Sequence, residues 1–161
     1  MTDTAPTGDP AGLVRHIETR YHARHREQLP RLAELAEKVE AVHRGDGRAP
    51  AGLADLLRRM IGAMEVHMKK EELILFPAIR RGGMPGIENP IAVMRADHDE
   101  HDAEIAEIRR LTANLSLPDG ACRTWTALYQ GLAEFIADLE EHIPLENEVL
   151  FPPFEQAARH G

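Results

Sequence analysis

The 161-residue chain has little cysteine and no long hydrophobic run. Cys122 is the only cysteine, which excludes an internal disulfide, a thioredoxin-type cysteine pair and a zinc site built from thiolates. No apolar run approaches the roughly 20 residues of a membrane-spanning helix. The polar start MTDTAPTGDPAG also lacks the apolar segment of a signal peptide. We therefore expect a cytoplasmic protein without a membrane segment.

Positive charge is also scarce. The chain has 19 Lys and Arg against 27 Asp and Glu, a formal net charge of −8, and its basic residues are scattered among acidic ones. Such a surface repels phosphate backbones, so we expect no nucleic-acid binding. The length corresponds to one domain. We predict a flexible polar tail over residues 1–9 and a single domain over residues 10–161.

Apolar residues recur at spacings of three and four, which predicts an all-α protein. Clusters of glycine and proline divide the chain into four long helices, expected at about 10–43, 51–76, 89–113 and 121–151. Short loops between long helices favour an up-down-up-down four-helix bundle. Because proline removes a helical hydrogen bond, we expect Pro30 to interrupt and kink the first helix, Pro77 to bend or end the second, and Pro144 to distort the fourth.

The pattern H-x3-E-x3-L-F-P occurs twice, at 67–77 and 142–152, 75 residues apart. Its histidine and glutamate are four residues apart and therefore share one face of a helix. One copy alone would be explained by a surface ion pair. Two copies on the core-facing sides of two helices predict a metal site, because buried polar groups need a partner.

The remaining ligands are expected at the same height on the first and third helices, where His22 and His25, and His98 and His101, occur. His43 lies 21 residues beyond His22, about 31 Å along a helix, and is too distant. The minimum ligand set has four imidazoles and two carboxylates, too many for one tetrahedral zinc ion. It suits two metal ions bridged by the glutamates, and iron, zinc and manganese remain open. The set is His22, His67, Glu71, His98, His142 and Glu146.

Four segments resemble the hemerythrin-like domain of the bacterial iron–sulfur cluster repair di-iron proteins, over about residues 13–154. They are RYHARHREQLPRLAELAEKVEAVH, HMKKEELILFP, VMRADHDEH and TWTALYQGLAEFIADLEEHIPLENEVLFP. The resemblance implies a hemerythrin-like bundle holding two non-haem iron ions with an oxo or hydroxo bridge. Glu71 and Glu146 would bridge the ions, and the four histidines of the set would be terminal ligands. The family's small N-terminal domain with paired cysteines has no counterpart in the first dozen residues.

The resemblance also implies support for the repair or assembly of iron–sulfur clusters damaged by nitrosative or oxidative stress. Iron donation would make iron–sulfur proteins the recipients, and favours a metal-binding protein over a turnover enzyme. The alternative is a hemerythrin-like protein that binds, senses or scavenges O2 or NO, with ferroxidase or peroxidase-like turnover as a third interpretation. Oxygen-carrying hemerythrins have a fifth histidine ligand, for which His25 and His101 are candidates, although both also fit surface positions.

Several acidic residues flank the expected ligands and are candidates to orient them. A carboxylate that accepts the free N–H of a ligand imidazole fixes its orientation. We prefer Asp97 because it adjoins His98. His43 is expected to cap a helix end or form an accessory site, and Cys122 to be inert or weakly redox-active. The other acidic candidates, each also compatible with a solvated helix face, are Glu72, Asp99, Asp102 and Glu141.

Overall fold

A computed structural model describes residues 4–160, with side chains as far as residue 156. Within this range the chain forms helices and no strand, which confirms the predicted all-α class. None of the helices in residues 4–160 is long and apolar enough to cross a membrane. Residues 1–3 of the predicted tail and residue 161 lie outside the described residues.

Three of the four bundle helices contain a π-helical turn. The first bundle helix consists of α1 (Pro10–His16), a π turn (Ile17–His22) and α2 (Ala23–Val42). The second consists of α3 (Leu53–Lys70), a π turn (Glu71–Leu75) and α4 (Phe76–Arg80). The third is the uninterrupted α5 (Glu88–Leu111). The fourth consists of α6 (Arg123–Pro144), a π turn (Leu145–Leu150) and α7 (Pro152–His160).

The prolines behave differently from one another. α2 continues through Pro30, so the predicted interruption is wrong. Pro30 is exposed, and water can satisfy the Arg26 carbonyl that loses its helical donor. Pro77 lies in the first turn of α4, where a missing N–H is tolerated, and the helix continues to Arg80. Pro144 is followed directly by a π turn, so the fourth helix is distorted there as predicted.

The interior consists of two apolar cores separated by a polar layer. The larger core includes Leu57, Met60, Leu132 and Phe135. The smaller core includes Ile17, Leu75, Ile91 and Phe151. Each bundle helix passes from one core to the other, and successive helices do so in opposite directions, which gives the predicted up-down-up-down order. The polar layer consists of the buried side chains of His22, His25, His67, Glu71, His98, His101, His142 and Glu146.

Candidate metal centre

All six predicted ligands meet in the polar layer, where they form two overlapping groups. The His22/His142 group also contains Glu71 and Glu146, and the His67/His98 group contains the same two glutamates. In each group, one potential ligand atom from every residue lies within 4.8 Å of the others. Each bundle helix contributes at least one of the six side chains, and the two H-x3-E copies supply both shared carboxylates.

The four histidines of these groups turn Nε2 towards the glutamates. Nε2 of His22 and of His67 lie 3.1 and 3.3 Å from Oε1 of Glu71. Nε2 of His98 lies 2.9 Å from Oε1 of Glu146, and Nε2 of His142 lies 2.6 Å from Oε2 of Glu146. The inward face of the layer is therefore lined by imidazole nitrogens and carboxylate oxygens.

Four of these inward atoms form no hydrogen bond within the described part of the chain, because their close contacts lack hydrogen-bond geometry. They are Oε2 of Glu71, Oε1 of Glu146 and Nε2 of His67 and His98. Burying such atoms unpaired is costly, whereas a cation between them would satisfy them. Imidazole and carboxylate together suit iron, zinc or manganese. The residues present therefore fit a pair of metal ions.

The two glutamates have opposite protonation tendencies. Burial and the nearby charge of Glu146 raise the pKa of Glu71 well above its ordinary value. Burial opposes ionisation of Glu146 as well, but His142, Glu71 and His98 outweigh it and hold the pKa of Glu146 well below its ordinary value. Two buried carboxylates this close cannot both stay charged without cations. A metal would therefore replace a shared proton.

Each of the four inward-facing imidazoles has a hydrogen-bond partner at Nδ1. A proton on Nδ1 that is donated to such a partner leaves the Nε2 lone pair free for a metal and fixes the plane of the ring. This outer contact thus prepares all four histidines for coordination. The pairs are His22 with Glu72 at 2.8 Å, His67 with Asp97 at 3.0 Å, His98 with Asn147 at 2.7 Å, and His142 with Nε2 of His25 at 3.2 Å.

The preferred orienting residue, Asp97, contacts a different histidine from the one expected. It accepts from His67 on α3 and not from its neighbour His98, because successive helix residues point about 100° apart. His98 instead donates to Asn147, which the sequence reasoning missed. Glu72, a candidate from the sequence, and Asn147 each follow a shared glutamate directly, so comparing equivalent positions inside the two copies of the repeat would have revealed Asn147. Of the other candidates, Asp99, Asp102 and Glu141 are exposed.

His25 and His101 are both buried, so the surface positions considered for them are wrong. The sequence signal for this is a second repeat, H-x2-H at 22–25 and 98–101, 76 residues apart. Burial lowers the pKa of His25 to about 2 and that of His101 to about 3, so both rings are neutral. Neither ring belongs to the two ligand groups found among the described residues.

The L-F-P portion of the repeat ends the π turns and covers the ligands. The N–H of Phe76 donates to the carbonyl of Glu71, and the N–H of Phe151 donates to that of Glu146, which is the i to i−5 pattern of a π turn. The ring of Phe76 stacks on His22 at 5.7 Å, and that of Phe151 stacks on His98 at 6.1 Å. The two phenylalanines therefore close the apolar side of the centre.

His43 lies at the C-terminal end of α2 and belongs to neither ligand group, as the spacing predicted. Its Nε2 lies 3.3 Å from Sγ of Cys122, and its ring lies 4.6 Å from that of Trp125. Its contacts are with the beginning of α6 and the larger core. His43 therefore packs two bundle helices together at their far end.

Residues 13–154 match the family model for the hemerythrin HHE cation binding domain. The iron-sulfur cluster repair protein YtfE of Yersinia pseudotuberculosis serotype O:1b (strain IP 31758) is 51% identical over 140 residues. The YtfE protein of Yersinia pestis (strain Pestoides F) is equally similar. The match covers 87% of this chain and 63% of each relative, so the chain spans less than two thirds of their length. On its fold, its paired histidine and glutamate groups and this match, the chain belongs to the hemerythrin HHE cation binding domain family.

Proposed function

We propose that the polar layer holds two iron ions joined by an oxygen bridge. The observation that carries the proposal is the sharing of Glu71 and Glu146 by both ligand groups, since a shared carboxylate can bridge two ions. The His22/His142 group would hold one ion and the His67/His98 group the other. Such a centre supplies redox-active ions with coordination positions that four protein ligands each leave open.

The donor set favours release of the metal as well as binding. Ferritin-like di-iron sites use four glutamates and two histidines, whereas this set has two glutamates and four histidines. It therefore offsets less of the positive charge of the ions. Protons also compete directly with metals for imidazole nitrogens. Both properties support a protein that holds iron and can give it up.

We therefore propose that the chain donates iron for the repair or assembly of iron–sulfur clusters damaged by nitrosative or oxidative stress. The recipients would be cytoplasmic iron–sulfur proteins lacking part of their cluster. The name carried by the Yersinia relatives, iron-sulfur cluster repair protein, supports this proposal. Because those relatives are longer, the activity is proposed here for the hemerythrin domain itself.

Metal analysis and iron transfer test the proposal in sequence. Protein purified in air should contain about two irons per chain and absorb in the near ultraviolet as an oxo-bridged pair does. The iron-loaded chain is then mixed with an apo iron–sulfur enzyme, sulfide, a reductant and a soluble iron chelator. Recovery of enzyme activity despite the chelator would indicate direct transfer, and an equal amount of ferrous salt should give none.

The variant Glu146→Gln supplies the matched control for iron transfer. It removes one shared carboxylate, so we expect a lower iron content and a loss of iron transfer to the apo enzyme. Glu148→Gln alters an exposed neighbour and should retain the native iron content and iron transfer. Failure of transfer together with a stable, reversible O2 or NO adduct would instead favour a gas-binding protein. Zinc or no metal in the purified chain would contradict the di-iron proposal itself.

A further inference from the structure

His101 is a buried imidazole that contributes to neither ligand group. Its side chain is 3% exposed, and among the described residues its Nδ1 has no hydrogen-bond partner. Its ring lies 4.9 Å from that of His67, at 81° to it, and 6.1 Å from that of His98, measured between ring centroids. His101 therefore lies beside the His67/His98 group, and its Nδ1 is unpaired.

The first copy of the H-x2-H repeat, at 22–25, shows what an imidazole at the position of His101 can do. His25 is the counterpart of His101, and Tyr21 is the counterpart of Asp97, each 76 residues earlier. Tyr21 stacks flat on His142 at 5.2 Å, and Nε2 of His25 is hydrogen-bonded to Nδ1 of His142 at 3.2 Å. In this copy, the buried imidazole is therefore the orienting partner of a ligand.

In the second copy of the H-x2-H repeat, at 98–101, a residue other than the buried imidazole orients the ligand histidine. Asp97 accepts the Nδ1 proton of His67 at 3.0 Å, so His101 has no proton to accept there. A buried imidazole nitrogen without a partner is unfavourable, so the unpaired Nδ1 of His101 calls for a partner that the described residues do not supply. Because the ring of His101 lies beside the rings of His67 and His98, the candidate partner is a ligand at the open coordination position of the ion that these two histidines would hold.

We infer that His101 hydrogen-bonds a small exogenous ligand bound at the His67/His98 group, either an anion or a diatomic molecule with a lone pair. This inference rests on the proposed metal centre. The His22/His142 group differs, because Nε2 of its neighbour His25 is already paired with Nδ1 of His142 at 3.2 Å, although Nδ1 of His25 also has no partner among the described residues. The repeat thus gives two similar metal positions, and of the imidazoles beside them His101 is the one that orients no ligand.

Azide is the probe for this inference, because it is small, anionic and gives a charge-transfer absorption when it binds ferric iron. The iron-loaded native chain is compared with His101→Leu, which removes the donor, and His101→Gln, which retains one. Asp102→Asn, at an exposed neighbouring position, is the matched control. Iron content and far-ultraviolet circular dichroism are measured for every variant before azide is added.

We expect His101→Leu to retain two irons but to bind azide roughly 10-fold more weakly, the usual scale for one hydrogen bond to a charged group. His101→Gln and Asp102→Asn should bind it about as tightly as the native chain. The infrared stretch of bound azide should shift in D2O in the native chain and not in His101→Leu. Packing changes alone would not produce that isotope effect.

Four outcomes would overturn the inference, and the last of them would also overturn the proposed function. If His101→Leu binds azide as tightly as the native chain and shows the same isotope shift, His101 does not hydrogen-bond the ligand. Loss of one iron from His101→Leu would make His101 a metal ligand instead. A native chain that holds two irons but binds no azide would refute the ligand site and leave the metal centre intact. A native chain without iron fails at the first measurement and would overturn the proposed function as well.

Discussion

Asp97 on α5 accepts a hydrogen bond from His67 on α3, and so one bundle helix orients a ligand of its neighbour. The same holds around the whole bundle. The second helix orients the imidazole of the first, the third that of the second, the fourth that of the third, and the first that of the fourth. This ring of contacts closes on itself, so the ligand geometry depends on the relative placement of all four helices.

Removing one contact of the ring should weaken metal binding without removing a ligand. We expect Asp97→Ala to lower metal affinity about 10- to 100-fold, the usual effect of losing the partner of a metal-bound histidine. Competition with a chelator of known affinity measures the change. Asp99→Ala, on an exposed face of the same helix, is the control and should bind metal as the native chain does. Equal affinities for both variants would show that Asp97 does not orient His67.

Replacing a shared glutamate should affect both metal positions. We expect Glu71→Gln to hold at most one ion per chain, because this carboxylate belongs to both ligand groups. Elemental analysis of the purified variant gives the stoichiometry, and the exposed Glu148→Gln should retain the native value. Two ions per chain in both Glu71→Gln and Glu146→Gln would rule out bridging by either carboxylate.

Replacing His43 should change stability and leave metal content unaltered. His43→Ala removes the contact with Cys122 and the packing on Trp125. We expect a loss of about 1–2 kcal/mol in the free energy of unfolding, measured by urea denaturation of the metal-free chain. Loss of an ion from this variant would show that the far end of α2 communicates with the centre.

The metal-free chain should lose stability as the pH falls below about 6.5. Burial lowers the pKa of His25 to about 2, that of His101 to about 3 and that of His67 to about 4. Between about 6.5 and these values the unfolded chain binds protons that the folded chain does not, so acid favours unfolding. Each such histidine contributes about 1.4 kcal/mol per pH unit within its window.

Urea titrations of the metal-free chain between pH 7 and pH 4.5 measure this dependence. Two groups of the polar layer act in the opposite direction and together reduce the slope by at most two protons: His98, whose pKa is raised by Glu146 and Asn147 against the effect of burial, and Glu71, whose pKa is raised by burial and by Glu146. A free energy of unfolding that stays constant over this range would mean that the buried histidines become protonated without unfolding.

The sequence was sufficient to predict the four-helix bundle and the six side chains of the two ligand groups, because spacing along a helix determines which residues share a face. The H-x3-E copies therefore located both glutamates and two histidines directly. Partners on other helices are not encoded by spacing, which is why Asn147 was missed and Asp97 was paired with the wrong histidine. Pro30 was misjudged for a related reason, since the cost of its missing hydrogen bond depends on whether water reaches the freed carbonyl.

The polar layer divides the apolar interior into two parts, and this has a consequence for cooperativity. Without metal, each core has its own set of contacts, and the charged and neutral polar groups between them offer little hydrophobic coupling. Hydrogen exchange in the metal-free chain should then show the smaller core opening before the larger one. Bound metal would connect all four helices at the boundary between the cores, so that the two ends unfold as one unit. Release of iron would therefore also allow the end that contains the smaller core to open on its own.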